Sequence, residues 1–326
     1  MMSFKKYFSY RLRNSILLIT VLSFICIVVS LWATEIEPSL AGYSNSRIDI
    51  LGWIMLVLSI AIPFLEWSEF KDKRCLDTAL SLPIGRGKLF FAHYLLGSIK
   101  IVIPYSFSMI CVLIRYIPYI RYLYIIPFNL VYLIPLYFVS LLLGLAVYSI
   151  VTFAIIQANT IFDSFIFVGI YSFIFCVIFE PLGKFIEIFD KVKTDLFVIF
   201  NPLLLITEDF NDLIDRSKVF FETANLIAYI FWVVFGIGAI FGSVYTFIKQ
   251  RYERVGGISE SWFGYKTLIP IAITGFYLLD TSFYVWCVIG ALLFYIIYRR
   301  SIRLKKSDLI VLGAFTLLGG IGVAFG

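Results

Sequence analysis

Apolar residues arrive in long runs separated by short polar clusters. The runs cover 15–33, 50–65, 89–114, 125–147, 161–179, 226–248, 267–283, 284–298 and 308–325. Most approach or exceed the about 20 residues that an α-helix needs to cross a hydrocarbon layer about 30 Å thick. The pattern predicts an all-α, polytopic helical membrane protein with six core transmembrane helices and two or three C-terminal membrane segments. The two runs after Lys266 are short and divided near Asp280, so they read as a hairpin or one broken element. The last run is rich in glycine.

Ahead of the first span, Phe4, Tyr7, Phe8, Arg11 and Leu12 recur at helical spacing, with Lys5, Lys6 and Arg13 off that stripe. This is either an interfacial amphipathic helix over 1–14 or a plain basic anchor. The run 15–33 is too long for a signal-peptide core and reads as an anchored span. These boundaries divide the chain into the helix 1–14, a six-span domain over 15–250 and additional spans over 251–326. Within the middle part, 66–88 is a charged segment between spans and 180–225 is the longest loop. That loop holds nine acidic and five basic residues and suggests short amphipathic helices, with a break at Asn201-Pro202.

Composition fits this picture. The chain has 326 residues, 61% hydrophobic and only 15% charged, against about 25% charged in soluble domains. The net charge of +6 comes from short clusters beside the spans, so it carries no nucleic-acid signal. Lysines and arginines number 18 in the segments that share a side with the N-terminus and 8 in the opposite ones. That asymmetry predicts a multi-pass protein of the cytoplasmic membrane with its N-terminus and residues 66–88 inside. Cys26, Cys75, Cys111, Cys176 and Cys287 offer neither a disulfide framework nor a metal spacing.

Missing chemistry narrows the function. A single histidine, His93, rules out paired-histidine metal sites, and it reads as structural in preference to a proton relay. No GxxxxGK[ST] loop is present, so the chain does not hydrolyse ATP by itself. Gly319, Gly320 and Gly322 read as close helix packing. Lys100 falls inside an apolar run, where an ionised lysine costs about 2.5–3.5 kcal/mol. We read the effective span as starting near Gly97, with 85–97 a surface helix, so that Lys100 snorkels; otherwise it faces a cavity or a partner. Asp163 poses a similar choice.

The segment Glu66–Lys88, EWSEFKDKRCLDTALSLPIGRGK, is a charged island between two spans. Read as a helix, 68–81 places Phe70, Arg74, Asp77 and Ser81 on one flank and Leu76 and Leu80 near another, and Pro83 ends it. A short helix with apolar anchors suits a groove on a partner; a solvated loop is the plainer reading.

The run LDTALSLPIGRGKLFFAHYLLG resembles the region after the second span in permease subunits of type-2 ATP-binding-cassette (ABC) exporters. Leu80, Ser81, Leu82, Pro83, Ile84 and Arg86 match a phrase like SLPISR, with Gly85 in place of the usual polar residue. Glu66 and Glu69 match upstream acidic positions. QRYERVGG (250–257) and YRRSIRLKK (298–306) are similar to span ends in a bacterial subgroup linked to peptide-antibiotic export or self-protection. The resemblance implies a cytoplasmic coupling helix at 68–81 and two copies of a separate ABC ATPase that carry ATP and Mg. It also implies a second permease chain, identical or not. This chain would then be non-catalytic and hold no cofactor, moving an amphipathic peptide or lipid-like substrate.

Two other classes compete. A secondary transporter or channel would need charged groups inside the membrane and helices broken at Pro104, Pro127, Pro135 or Pro270. A membrane-embedded enzyme acting on lipid or polyprenyl carriers would need clustered acids. Glu208, Asp209, Asp212 and Asp215 are the dense acidic group, and a solvated helix face explains them.

Overall fold

A computed structural model describes residues 4–34, 48–72, 75–77, 81–117, 133–171, 201–214, 223–249, 263–271, 284–299 and 305–325. The helices among them are α1 (Phe4–Ala33), α2 (Asp49–Trp67), α3 (Arg86–Tyr116) and α4 (Leu133–Gln157), then α5 (Ile161–Tyr171). They continue with α6 (Pro202–Ile214) and α7 (Thr223–Lys249), and α8 over 265–271. The last two are α9 (Tyr284–Arg299) and α10 (Lys306–Phe325). No strand occurs among the described residues. Among the described residues, five helices are long and apolar enough to cross a membrane: α1, α2 with its following turn, α3, α4 and α7.

The chain divides into two units. The first contains 1–70, 74–153 and 202–250. Its contacts fix how the helices run. Tyr7 meets His93 near the starts of α1 and α3, and Arg115 bonds the Leu31 carbonyl near their ends, so these two helices are parallel. Trp67, at the end of α2, meets Phe90 near the start of α3, so α2 runs the other way. Between α3 and α4 the hydroxyl pairs Tyr94–Ser149 (2.7 Å), Tyr105–Ser140 (2.6 Å) and Ser106–Tyr137 (2.7 Å) form an antiparallel seam. Helix α7 ends beside the start of α3, where Arg86 donates to the Ile248 carbonyl at 3.1 Å.

The N-terminal basic turns, the end of α2, the start of α3 and the end of α7 therefore lie at one end of this unit. The sequence had grouped these segments on one side by charge alone. At the opposite end α6 starts at Pro202, where a missing amide hydrogen costs nothing. It lies against α2: a Cβ at Gly52 would come within 3.2 Å of the Ile206 carbonyl.

Packing in the first unit depends on small residues where helices approach. A Cβ at Gly236 of α7 would lie 2.8 Å from the Ala146 backbone, and one at Gly97 would overlap the Tyr148 hydroxyl. Helix α1 buries Ser23, Cys26 and Ser30 while exposing Leu17, Phe24 and Trp32. Small residues inward and large apolar residues outward is the arrangement of a helix in lipid. Ser23 and Ser30 return their hydroxyls to carbonyls of their own helix, so their polarity is met locally.

The second unit contains 71–73, 154–201 and 251–326. Among its described residues, Ile269, Ala291, Tyr295 and Leu312 form a small core from α8, α9 and α10. Tyr265 donates to Asp163, its ring meets Phe167 edge-on, and Tyr171 donates to the Phe263 carbonyl at 2.9 Å. Lys71 bonds the Ala158 carbonyl.

Several expectations change. The fourth span, expected over 125–147, continues to Gln157 in α4, and 125–132 fall outside the described residues. Ser149 bonds the Leu145 carbonyl, which lets the helix continue past polar residues. The stripe over 4–12 is the start of the same unbroken helix as the first span. Pro104 does not end α3; it only removes the helical donor to the Lys100 carbonyl, and Pro135 sits in the first turn of α4. The segment expected as a helix over 68–81 opens with a 3-10 turn, Ser68–Lys71, and is helical at 75–77, while 73–74 and 78–80 fall outside the described residues. A tightened last turn is a common helix ending. The amphipathic segments expected at 185–200 and Pro127 fall outside the described residues.

Candidate functional site

Helix α3 has 31 residues and is about 46 Å long, whereas α2 has 19 and is about 28 Å. Trp67, the last residue of α2, lies against Phe90 in the second turn of α3, and the two helices' charged residues meet beside this contact. Glu66 is the next-to-last residue of α2, and Lys100 comes about 21 Å along α3. His93 stands two turns before Lys100 on the same buried face.

The residues form a compact cluster. Lys100 Nζ bonds Glu66 Oε1, and Glu66 Oε2 lies 3.5 Å from His93 Nδ1. Glu66 is 2%, His93 1% and Lys100 6% exposed, so none reaches solvent. His93 Nε2 is 3.0 Å from the Tyr7 hydroxyl. Arg11, one turn after Tyr7, donates two hydrogen bonds to Glu69 at 3.1 and 2.9 Å. Its Nη2 also lies 3.5 Å from His93 Nδ1. The Arg11–Glu69 pair is half-exposed. The two acids, Glu66 and Glu69, and the two bases, Arg11 and Lys100, cancel.

Aromatic rings close one side. Trp67, Phe70, Phe90 and Phe247, from the end of α2, the 3-10 turn, the start of α3 and the end of α7, have centroids 5.1–5.7 Å apart. Phe70 also meets His93 edge-on at 4.9 Å. This shield excludes water, so the charges must satisfy one another. The arrangement can hold charges, redistribute a proton among Glu66, His93 and Tyr7, and tie three helices together. Among the described residues, no group of three His, Cys, Asp or Glu side chains could hold a metal.

Lys100 corrects the sequence reading. It does not snorkel, and no surface helix ends at Gly97; α3 is continuous and the ammonium is buried on Glu66. Asp209 corrects another: it is 4% exposed and accepts from Tyr229 at 2.7 Å, because its face of α6 turns inward with Phe210. It is therefore not part of a solvated face.

The other residues singled out in 66–86 divide in two. Glu66, Glu69 and Phe70 are engaged with the bundle, and Leu76 is buried at 3%. Ser81, Pro83 and Arg86 are exposed, while Leu82 and Ile84 are half-buried. Ser81 N–H donates to the Asp77 carbonyl at 3.0 Å. Arg74 and Leu80 lie outside the described residues. Reasoning from sequence missed Tyr7, Arg11 and His93 as one site. The available signal was the seven-residue spacing of His93 and Lys100 beside an acid that ends the preceding span.

No known family model, curated protein or solved structure matches this chain.

Proposed function

We propose that this chain is the membrane-spanning, non-catalytic subunit of an ATP-driven exporter. It would work with two ABC ATPase subunits that carry ATP and Mg, and with a second permease chain. The carrying observation is the build of residues 66–88. Their first turn is anchored through Glu66, Glu69 and Phe70 to α1, α2 and α3, while Asp72, Asp77, Arg86 and Lys88 are exposed beyond it. A force on the exposed part would pass into three spans at once. The positive-inside count supports a cytoplasmic position for this segment, and the LSLPIGR turn supports an ABC-type partner. An amphipathic peptide or lipid-like substrate fits the apolar spans.

The test is co-expression with candidate ATPases from adjoining reading frames, followed by co-purification from membranes. An ATPase with a phosphate-binding loop should follow the wild type and be lost with Asp72→Lys/Asp77→Lys. Transport by the purified chain without any ATPase would overturn this reading.

A proton-coupled secondary transporter is the second reading, favoured by the buried Glu66–Lys100 pair and its contact with His93. Intramembrane ionisable groups of this kind commonly mark proton pathways. Substrate movement driven by a pH gradient alone would select it.

A further inference from the structure

The two contacts of His93 Nδ1 demand opposite things of it. Arg11 Nη2 and Glu66 Oε2 are both 3.5 Å away. A guanidinium only donates and a carboxylate only accepts. A neutral imidazole can therefore serve Glu66 with Nδ1–H, or Arg11 with a bare Nδ1, but not both. The groups facing the ring are Tyr7 and Arg11 from α1, Glu66 from α2 and Glu69 from the 3-10 turn through Arg11. Lys100, on its own helix, acts through Glu66.

We propose that His93 is a tautomeric switch that ties α3 either to α2 through Glu66 or to α1 through Arg11. Tyr7 makes the exchange possible. Its hydroxyl, 3.0 Å from Nε2, donates when Nδ1 carries the proton and accepts when Nε2 carries it. Neither state strands a ring nitrogen inside the aromatic shield. As the ring stands, Glu66 Oε2 has no hydrogen-bond partner and Arg11 is already held twice by Glu69, so the resting state we assign is Nδ1–H turned onto the Glu66 carboxylate.

The consequence is mechanical. Moving the end of α2 away from α3 breaks the Glu66 contact, and Arg11 replaces it. The exchange then keeps both His93 nitrogens matched as the helices shift, and the Glu66–Lys100 bond is left as the contact that opposes the motion. This holds for either transport reading and depends on neither.

The chain has one histidine, so the test needs no resonance assignment. Full-length protein labelled with 15N-histidine, purified through a histidine-free tag and placed in lipid nanodiscs, shows one pair of imidazole nitrogens. Their shifts report which nitrogen is protonated. At pH 8 the wild type should show Nδ1–H as the major form. Glu66→Gln should move the tautomer ratio toward Nε2–H by about tenfold, the difference between a charged and a neutral acceptor. Arg11→Met should remove the Nε2–H form. An Nε2–H majority in the wild type, or one unchanged ratio in all three proteins, overturns the switch. If Glu66→Gln does not fold, the wild type and Arg11→Met still decide.

Discussion

Lys100 of α3 is bonded to Glu66 of α2, 34 residues earlier in the chain, and both side chains are buried. The contact sets the two helices in register and makes each charge the condition for burying the other. Such a pair is weak evidence for added stability, yet breaking it is costly, because one charge is left alone in a poorly polarisable interior.

Lys100→Met should therefore destabilise the protein by about 3–5 kcal/mol, measured by reversible denaturation in mixed micelles. Glu66→Gln/Lys100→Met should recover more than half of that loss. The half-exposed Arg11–Glu69 pair provides the contrast. Glu69→Gln should cost at most about 1 kcal/mol, as solvent screens a surface pair. Equal losses at both pairs would contradict the burial argument.

Helix α7 offers two glycines two positions apart with opposite surroundings. A methyl at Gly236 would press on the Ala146 backbone at 2.8 Å, whereas one at Gly238 meets nothing within 4 Å. Gly236→Ala should lower stability by about 1–3 kcal/mol through overpacking. Gly238→Ala should be neutral or slightly stabilising, since alanine is the better helix former. Melting curves of the two variants, read by intrinsic fluorescence, test this.

The hydroxyl seam between α3 and α4 tests another scale. Tyr105 and Ser140 are fully buried and 2.6 Å apart. Removing one partner, by Tyr105→Phe or Ser140→Ala, should cost about 1–3 kcal/mol by stranding the other group. The double-mutant cycle should return a coupling near 0.6 kcal/mol, as for other interhelical bonds in membranes. A coupling of zero would mean that the contact does not form.

The shared end of the first unit can be read by labelling. Cys75 is exposed, and a membrane-impermeant maleimide should reach it from the same face as Lys5→Cys and Lys249→Cys. In inside-out vesicles all three should react if the positive-inside assignment is right. Reaction of Cys75 and Lys5→Cys from opposite faces would break the parallel arrangement of α1 and α3.

Much of this protein is legible in one dimension. Runs of about 20 apolar residues require membrane-length helices wherever they occur. The loop charges grouped the start of α1, residues 66–88 and the end of α7, because that bias acts on each segment separately. Helix ends were less legible: the fourth apolar run ended at 147, before Ser149, but the Ser149 hydroxyl bonds the Leu145 carbonyl of its own helix and lets α4 continue.

The tertiary structure alone decided which charges meet. Tyr7, Arg11, Glu66, Glu69, His93 and Lys100 come from three spans and a turn, and no local spacing pairs them. A buried charge cannot rely on water, so its energy depends on its nearest neighbour in space. That neighbour is set by helix direction and register, which the parallel packing of α1 on α3 and the antiparallel packing of α2 supply. The sequence by itself determined that Lys100 lay in an apolar span; only the packed helices made Glu66 its partner.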